Sequence, residues 1–223
     1  CSKRVDAIIL AGSKFVEMRP RDNEYIIEAA AKLPIMLVNG YLEGENIYST
    51  ICDDRAAVYQ VTRELLNSGR RKLLYLYTSH SFSGVNKLAG FKEAHQQMGL
   101  EVPDSMIRQC AKDISVARDL LLTLHREGLE FDAVVTSDDS LAVGAVKFAH
   151  AAGISIPDEL SIIGYNDSIL ARSTDPEITS IDSKVEALCS TTINTLMGVF
   201  SGKNVPSRTT IASDLIKRQT TNF

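Results

Sequence analysis

The chain has 223 residues, 44% of them hydrophobic, and a formal net charge of −4 at pH 7, enough length and apolar content for a packed core in one or two domains. With an acidic balance and no basic stripe, it should not bind DNA appreciably by itself. No apolar run approaches the roughly 20 residues that span a bilayer, and the opening CSKRVDAIIL lacks the small-residue cleavage pattern of a signal peptide, so no membrane partner is expected.

Val5 to Leu10 reads as a buried strand that stops at Ala11-Gly12-Ser13. No GxGxxG or Walker pattern follows, so Gly12 reads as a tight strand-to-loop turn, with Ser13 free to face a ligand. Arg19 to Asp22 is loop. Asn23 to Lys32 reads as a helix ended ahead of Pro34, and Ile35 to Val38 is the next strand, closing on Asn39-Gly40. Ile47 to Cys52 returns to an extended apolar run. Asp53-Asp54 then stand where a cap is needed for a helix from Arg55 to Ser68, which Gly69 terminates. Metal binding by the Asp pair is the sharper alternative, but no further carboxylate sits at ligand spacing. The apolar stripe of that helix suits either core or a subunit interface.

Leu73 to Tyr77 is a strand, Thr78 to Gly84 a polar loop, and Val85 to Met98 a helix that carries Lys87. Ile107 to Cys110 reads as a short strand, and Val116, Leu120, Leu121 and Leu124 mark a helix ending at Gly128. Ala133 to Thr136 and Leu160 to Gly164 are short β-branched runs. Between them Asp138 or Asp139 can cap a helix that Gly153 stops, with Pro157 beyond. This is a β-α-β unit, whose strands must run parallel through a right-handed crossover. Ser137-Asp138 and Tyr165-Asn166 therefore emerge on one carboxyl edge, where open α/β sheets bind small molecules. The loop Ser168 to Glu177 leads into a strand, Ile178 to Ile181; a helix spans about Asp182 to Ser201; Thr209 to Ala212 and Leu215 to Lys217 are late strands.

Cys1, Cys52, Cys110 and Cys189 show no CxxC pair, which suits free thiols in a reducing cytosol better than a disulfide framework or zinc site. Among the histidines, His95, His125 and His150 fall on expected helix surfaces, and only His80 shares a loop with candidate site residues. No HExxH spacing, GxSxG elbow or evident Ser-His-Asp set is present. No enzyme, cofactor or metal is therefore expected.

The segments SDDSLAVGA, GISIPDELSIIGYNDS and Asp175-Pro176-Glu177-Ile178-Thr179-Ser180-Ile181 resemble, in order, the effector-binding domain of the lactose-repressor (LacI/GalR) family of bacterial transcription regulators. The resemblance covers nearly the whole chain. It implies an α/β, two-lobe periplasmic-binding-protein-like (type I) fold of parallel doubly wound sheets with an incomplete N-terminal lobe. That lobe would comprise residues 1–49 and 183–207 and the C-terminal lobe residues 50–182 and 208–223, with hinge strands near Thr50, Ser183 and Ser207.

It also implies a polar ligand site at the mouth between the lobes, made of Ser13, Asn39, Ser81, Ser83, Lys87, Asp138 and Asn166. Hydroxyls, amides, one carboxylate and one cation suit a sugar or polyol. Lys87 stands where the family usually has Arg, Asn39 and Asn166 where many members have Asp, Asp138 where Asn is usual, and Ser183 where Gln is frequent. The two lost carboxylates around Lys87 tilt the expected effector modestly, since Asp138 adds a carboxylate back, towards an anionic one, such as a sugar phosphate or acid. The remaining implications are a cytoplasmic homodimer that reaches operator DNA only through a helix-turn-helix domain absent from this chain. An extracytoplasmic sugar-binding protein of a transporter is the alternative with the same fold.

Overall fold

The computed structural model describes residues 5–17 and 19–223, so Cys1 lies outside the described residues. The first part of the chain forms β1 (Ile8–Ala11), α1 (Glu24–Ala30), β2 (Ile35–Val38), β3 (Ile47–Cys52), α2 (Asp54–Asn67), β4 (Leu73–Tyr77), α3 (Phe82–Gln97) and β5 (Ile107–Gln109). There follow α4 (Ile114–Arg126), β6 (Ala133–Thr136), α5 (Asp139–Ala152), β7 (Ser161–Tyr165), α6 (Ile169–Arg172), β8 (Thr179–Asp182), α7 (Val185–Phe200), β9 (Arg208–Ile211) and β10 (Asp214–Ile216). Two compact units result, the first made of Cys1–Asp53, His80–Val85 and Lys184–Ala212, the second of Asp54–Ser79, Asn86–Ser183 and Ser213–Phe223.

The first unit is built on a sheet in the order β1-β2-β3-β9, parallel at every pairing. Its core joins Ile35, Leu37 and Ile47 of the strands to Ile26 and Ala30 of α1, with Val16 and the half-buried Ile8 and Leu10. The helix α7 packs against β2 and β3. The strand β9 continues the sheet beside β3, and the chain leaves this unit after Asp53, after Val85 and after Ala212.

The second unit has a sheet in the order β10-β8-β7-β6-β4-β5; all pairs are parallel except β10 with β8. Successive strand residues point to opposite faces. Leu74, Leu76, Val134 and Ile162 therefore pack with Leu121 of α4 and Leu141, Val146 and Phe148 of α5. Leu73, Tyr75, Val135, Ile163 and Tyr165 pack on the other side with Val58, Leu65 and Leu66 of α2 and Phe91 of α3. Burial on both faces explains why these strands read as continuous apolar runs rather than alternating ones. The apolar stripe of α2, Val58, Val61, Leu65 and Leu66, is part of that core. Close helix approach is set by Gly90 of α3, where an added Cβ would lie 2.2 Å from the Arg55 carbonyl oxygen. The helix α5 ends as its sequence predicts, on Gly153 in the left-handed region at φ 69°.

Some expectations are corrected. The helix bearing Lys87 begins at Phe82, so Ser83 sits in its first turn and not in a loop. The connector after Asn166 contains the short α6. Asp54 opens α2 from inside the helix and is 2% exposed. His95, expected in solvent, is 3% exposed. Its Nδ1 lies 2.9 Å from the Phe91 carbonyl and its ring packs on that of Phe91, one turn earlier, at the edge of the buried face of α3 that also carries Phe91 and Ala94. Cys110 and Cys189 are free thiols.

Candidate functional site

Parallel strands deliver their following loops to one edge of the sheet, and in the second unit those loops begin with Lys112 shortly after β5, Ser137-Asp138 after β6, Asn166-Asp167 after β7 and Ser183 after β8. Asn166 and Asp167 have φ values of 101° and 47°, and Asn39, after β2 in the first unit, has φ 61°. Positive φ is uncommon outside glycine and clusters where a chain must aim particular side chains.

Asp138 is the hub of this edge. As the cap of α5 its Oδ1 accepts from the Ser140 backbone N–H at 3.0 Å and the Ser140 hydroxyl at 2.7 Å. Its Oδ2 accepts from Asn166 Nδ2 at 3.1 Å and pairs with Lys112 Nζ at 2.7 Å. Asn166 Oδ1 in turn accepts from the Ser183 hydroxyl at 3.4 Å. The cap stabilises by about 0.5–2 kcal/mol. The Lys112 side chain is 64% exposed, so its ion pair contributes only about 0–1 kcal/mol.

Lys87 is held very differently. It is 7% exposed; its ammonium donates to the Ser137 carbonyl at 3.2 Å, lies 3.4 Å from the centroid of the Tyr165 ring and stands 4.0 Å from Asp54 Oδ1. The Tyr165 hydroxyl donates to the same Asp54 oxygen. Removing one member of a buried pair leaves the other charge uncompensated at about 3–5 kcal/mol, so Lys87 is committed to the protein. Asp54 Oδ2 and the Tyr75 hydroxyl find no hydrogen-bond partner among the described residues. Burial, with the Asp54 charge beside it, pushes the Tyr75 phenol far above its ordinary range. The positive charge expected of Lys87 is thus balanced by a carboxylate from the start of α2.

Asp139, next to the hub, has a structural task. Its carboxylate accepts from the Ser180 hydroxyl at 2.6 Å and the Ser168 backbone N–H at 2.7 Å, tying the start of α5 to β8 and α6. Burial raises its pKa against the lowering effect of those bonds.

In the first unit the Ser13 hydroxyl donates to Ser81 Oγ at 2.9 Å. Asn39 Oδ1 accepts from the Cys52 backbone N–H at 3.2 Å, so that oxygen is engaged in closing the end of the sheet. Ser83 is 5% exposed in the first turn of α3. The structure thus groups Ser13 with Ser81 in one unit, and Asp138 with Asn166 in the other. It adds Lys112, Asp54 and Tyr165, which sequence reasoning missed. Lys112 had one legible signal: it follows a strand of the same parallel set. Asp54 and Tyr165 had none, because capping and core packing accounted for them.

Known proteins resemble this chain along most of its length. Residues 62–221 match the periplasmic binding protein-like domain. An HTH-type transcriptional regulator of Lachnoclostridium phytofermentans is 50% identical over 222 residues, covering 100% of this chain and 67% of the relative. The HTH-type transcriptional regulator AscG of Escherichia coli is 29% identical over 96% of this chain and 63% of its own length. The chain therefore spans about two thirds of these relatives. Among solved structures, a sugar-binding transcriptional regulator (LacI family) of Escherichia coli complexed with phosphate superposes with a TM-score of 0.85 at 27% identity, over 98% of this chain and 77% of that one.

Proposed function

We infer the role of this chain from one premise: it belongs to the periplasmic binding protein-like family, in the LacI/GalR branch of transcriptional regulators. It is the effector-binding part of such a regulator. The effector is a sugar or related polyhydroxylated small molecule, and within the second unit the side chains that read it are Asp138 and Asn166.

The observation that carries this reading is the cluster of Asp138, Asn166 and Ser183 on the carboxyl ends of three adjacent parallel strands, joined by hydrogen bonds of 3.1 and 3.4 Å. Short polar side chains held by one another are pre-positioned, so a ligand hydroxyl can exchange into the network at little ordering cost. Ligand binding then shifts the conformational population of the regulator by its differential affinity for the available forms. A helix-turn-helix domain outside this chain binds the operator, and the regulator works as a cytoplasmic homodimer without catalysing a reaction.

Two supports separate this reading from a transporter's binding protein. The relative that matches the whole chain at 50% identity is an HTH-type transcriptional regulator, and the sugar-binding structure at TM-score 0.85 is also a transcriptional regulator. Calorimetric titration of the chain with a panel of mono- and disaccharides, their phosphates and their acids tests the reading. Saturable binding of at least one member is expected; indifference to the whole panel would contradict it.

A further inference from the structure

We propose that Lys112 selects an effector bearing an anionic group, a phosphate or carboxylate on a polyhydroxylated body, by exchanging its ion pair with Asp138 for one with that anion. The inference rests on the effector reading above and names the chemical class that this edge accepts.

Two lysines approach the edge of the second unit. Lys87 is enclosed, with Tyr165, Ser137 and Asp54 around its ammonium. Lys112 is 64% exposed in its side chain and pairs with Asp138 Oδ2 at 2.7 Å. Moving Lys87 would expose a buried carboxylate, whereas Lys112 swings on a long solvated stem at little cost. The neighbouring carboxylate, Asp113, is used as the cap of α4, its Oδ1 accepting from the Ser115 and Val116 backbone N–H groups at 2.8 and 2.9 Å.

Asp138 meanwhile accepts from the Ser140 N–H, the Ser140 hydroxyl, Asn166 Nδ2 and Lys112 Nζ. A carboxylate has about four lone-pair sites, so these donors fill it. A ligand hydroxyl can bond to Asp138 only by evicting one of them. The two Ser140 bonds cap α5, and Asn166 is fixed by its own loop; Lys112 is the donor that can leave. A neutral polyol that evicts it returns the ammonium to water and offers it nothing. An anionic ligand takes the released ammonium in a charge-assisted bond while its hydroxyls reach Asp138 and Asn166.

The test is a calorimetric titration of the chain with matched pairs, glucose with glucose 6-phosphate, ribose with ribose 5-phosphate and galactose with galacturonate, and with inorganic phosphate alone. The anionic member of at least one pair is expected to bind about tenfold or more tighter than its neutral counterpart, the discrimination of one charge-assisted bond. Lys112→Ala should bring that ratio close to one without changing thermal unfolding of the unliganded chain, and Lys112→Arg should keep it. Whether the phosphates or the acid respond distinguishes the two sources of charge. Tighter binding of a neutral member, an unchanged ratio in Lys112→Ala, or inorganic phosphate binding as well as any sugar phosphate would overturn the inference; the first two leave the effector reading standing. Absence of binding by every saccharide would overturn the inference and that reading together.

Discussion

The Lys87 ammonium sits 3.4 Å from the centroid of the Tyr165 ring while the hydroxyl of that same tyrosine donates to Asp54, the carboxylate 4.0 Å from the lysine. The three groups neutralise one another inside the second unit. A cation–π contact that is desolvated contributes about 2 kcal/mol, and a paired charge avoids the larger penalty of isolation.

Truncating one partner should therefore cost far more than truncating two. Lys87→Met alone is expected to lower stability by about 3–5 kcal/mol, and Asp54→Asn alone by several, whereas the double variant recovers most of the loss. Urea denaturation of the four proteins measures the coupling; additive losses would show that the charges do not interact.

The two helix caps separate folding from binding. Asp113 caps α4 and Asp138 caps α5, so replacing either by Ala should cost about 0.5–2 kcal/mol. Only Asp138→Ala should also change saccharide affinity, because only Asp138 is bonded to Asn166. Thermal unfolding and calorimetry on the same pair of variants check this.

Gly90→Ala tests the close approach of α3 and α2. In an open helix the change would stabilise by up to about 1 kcal/mol. Here the new Cβ would fall 2.2 Å from the Arg55 carbonyl oxygen and 2.9 Å from the Tyr59 nitrogen, so a net loss of about 1–3 kcal/mol is expected. An increase in the denaturation midpoint would refute the packing described.

Stability should fall with pH through His95. Burial holds its pKa below the ordinary 6.5, so the unfolded chain binds the proton first. The contribution of this histidine is fully present above pH 6.5 and is lost as pH falls below it towards the folded-state value. Asp139 acts with the opposite sign in a more acidic window: its raised pKa makes the folded state bind the proton first as pH falls towards 3.8, which offsets acid destabilisation there. Denaturation midpoints of the wild type and His95→Leu between pH 7.5 and pH 5 should diverge in slope, with the variant flatter.

Much of the architecture was legible in the sequence, for a physical reason. The runs at Ala133, Leu160, Leu73 and Ile35 are short, β-branched or apolar, and bounded by polar residues, so their strand character and parallel direction follow from burial and from the helices between them. Asp138 and Gly153 marked the ends of α5 through capping chemistry. Less legible were features decided by tertiary neighbours. Nothing local distinguishes Asp54 from an ordinary cap until Lys87 and Tyr165 are folded against it, and His95 sits at the edge of the buried face of α3, where a polar side chain reads as solvated until the fold closes over it. At the candidate site the sequence indicated Asp138 and Asn166 through strand direction; the same direction was available for Lys112 after β5, but its pairing with Asp138 is set by the folded edge and not by local sequence.

The measurement that bears most directly on the account is the affinity of Asn166→Gly for whichever saccharide of the panel binds the wild type. Glycine tolerates the φ of 101° found there, so the backbone survives and only the amide between Asp138 and Ser183 is removed. An affinity loss of about tenfold or more, the worth of one to two hydrogen bonds, with unliganded unfolding little changed, is the predicted result. Undiminished binding in that variant would mean that the effector is read elsewhere.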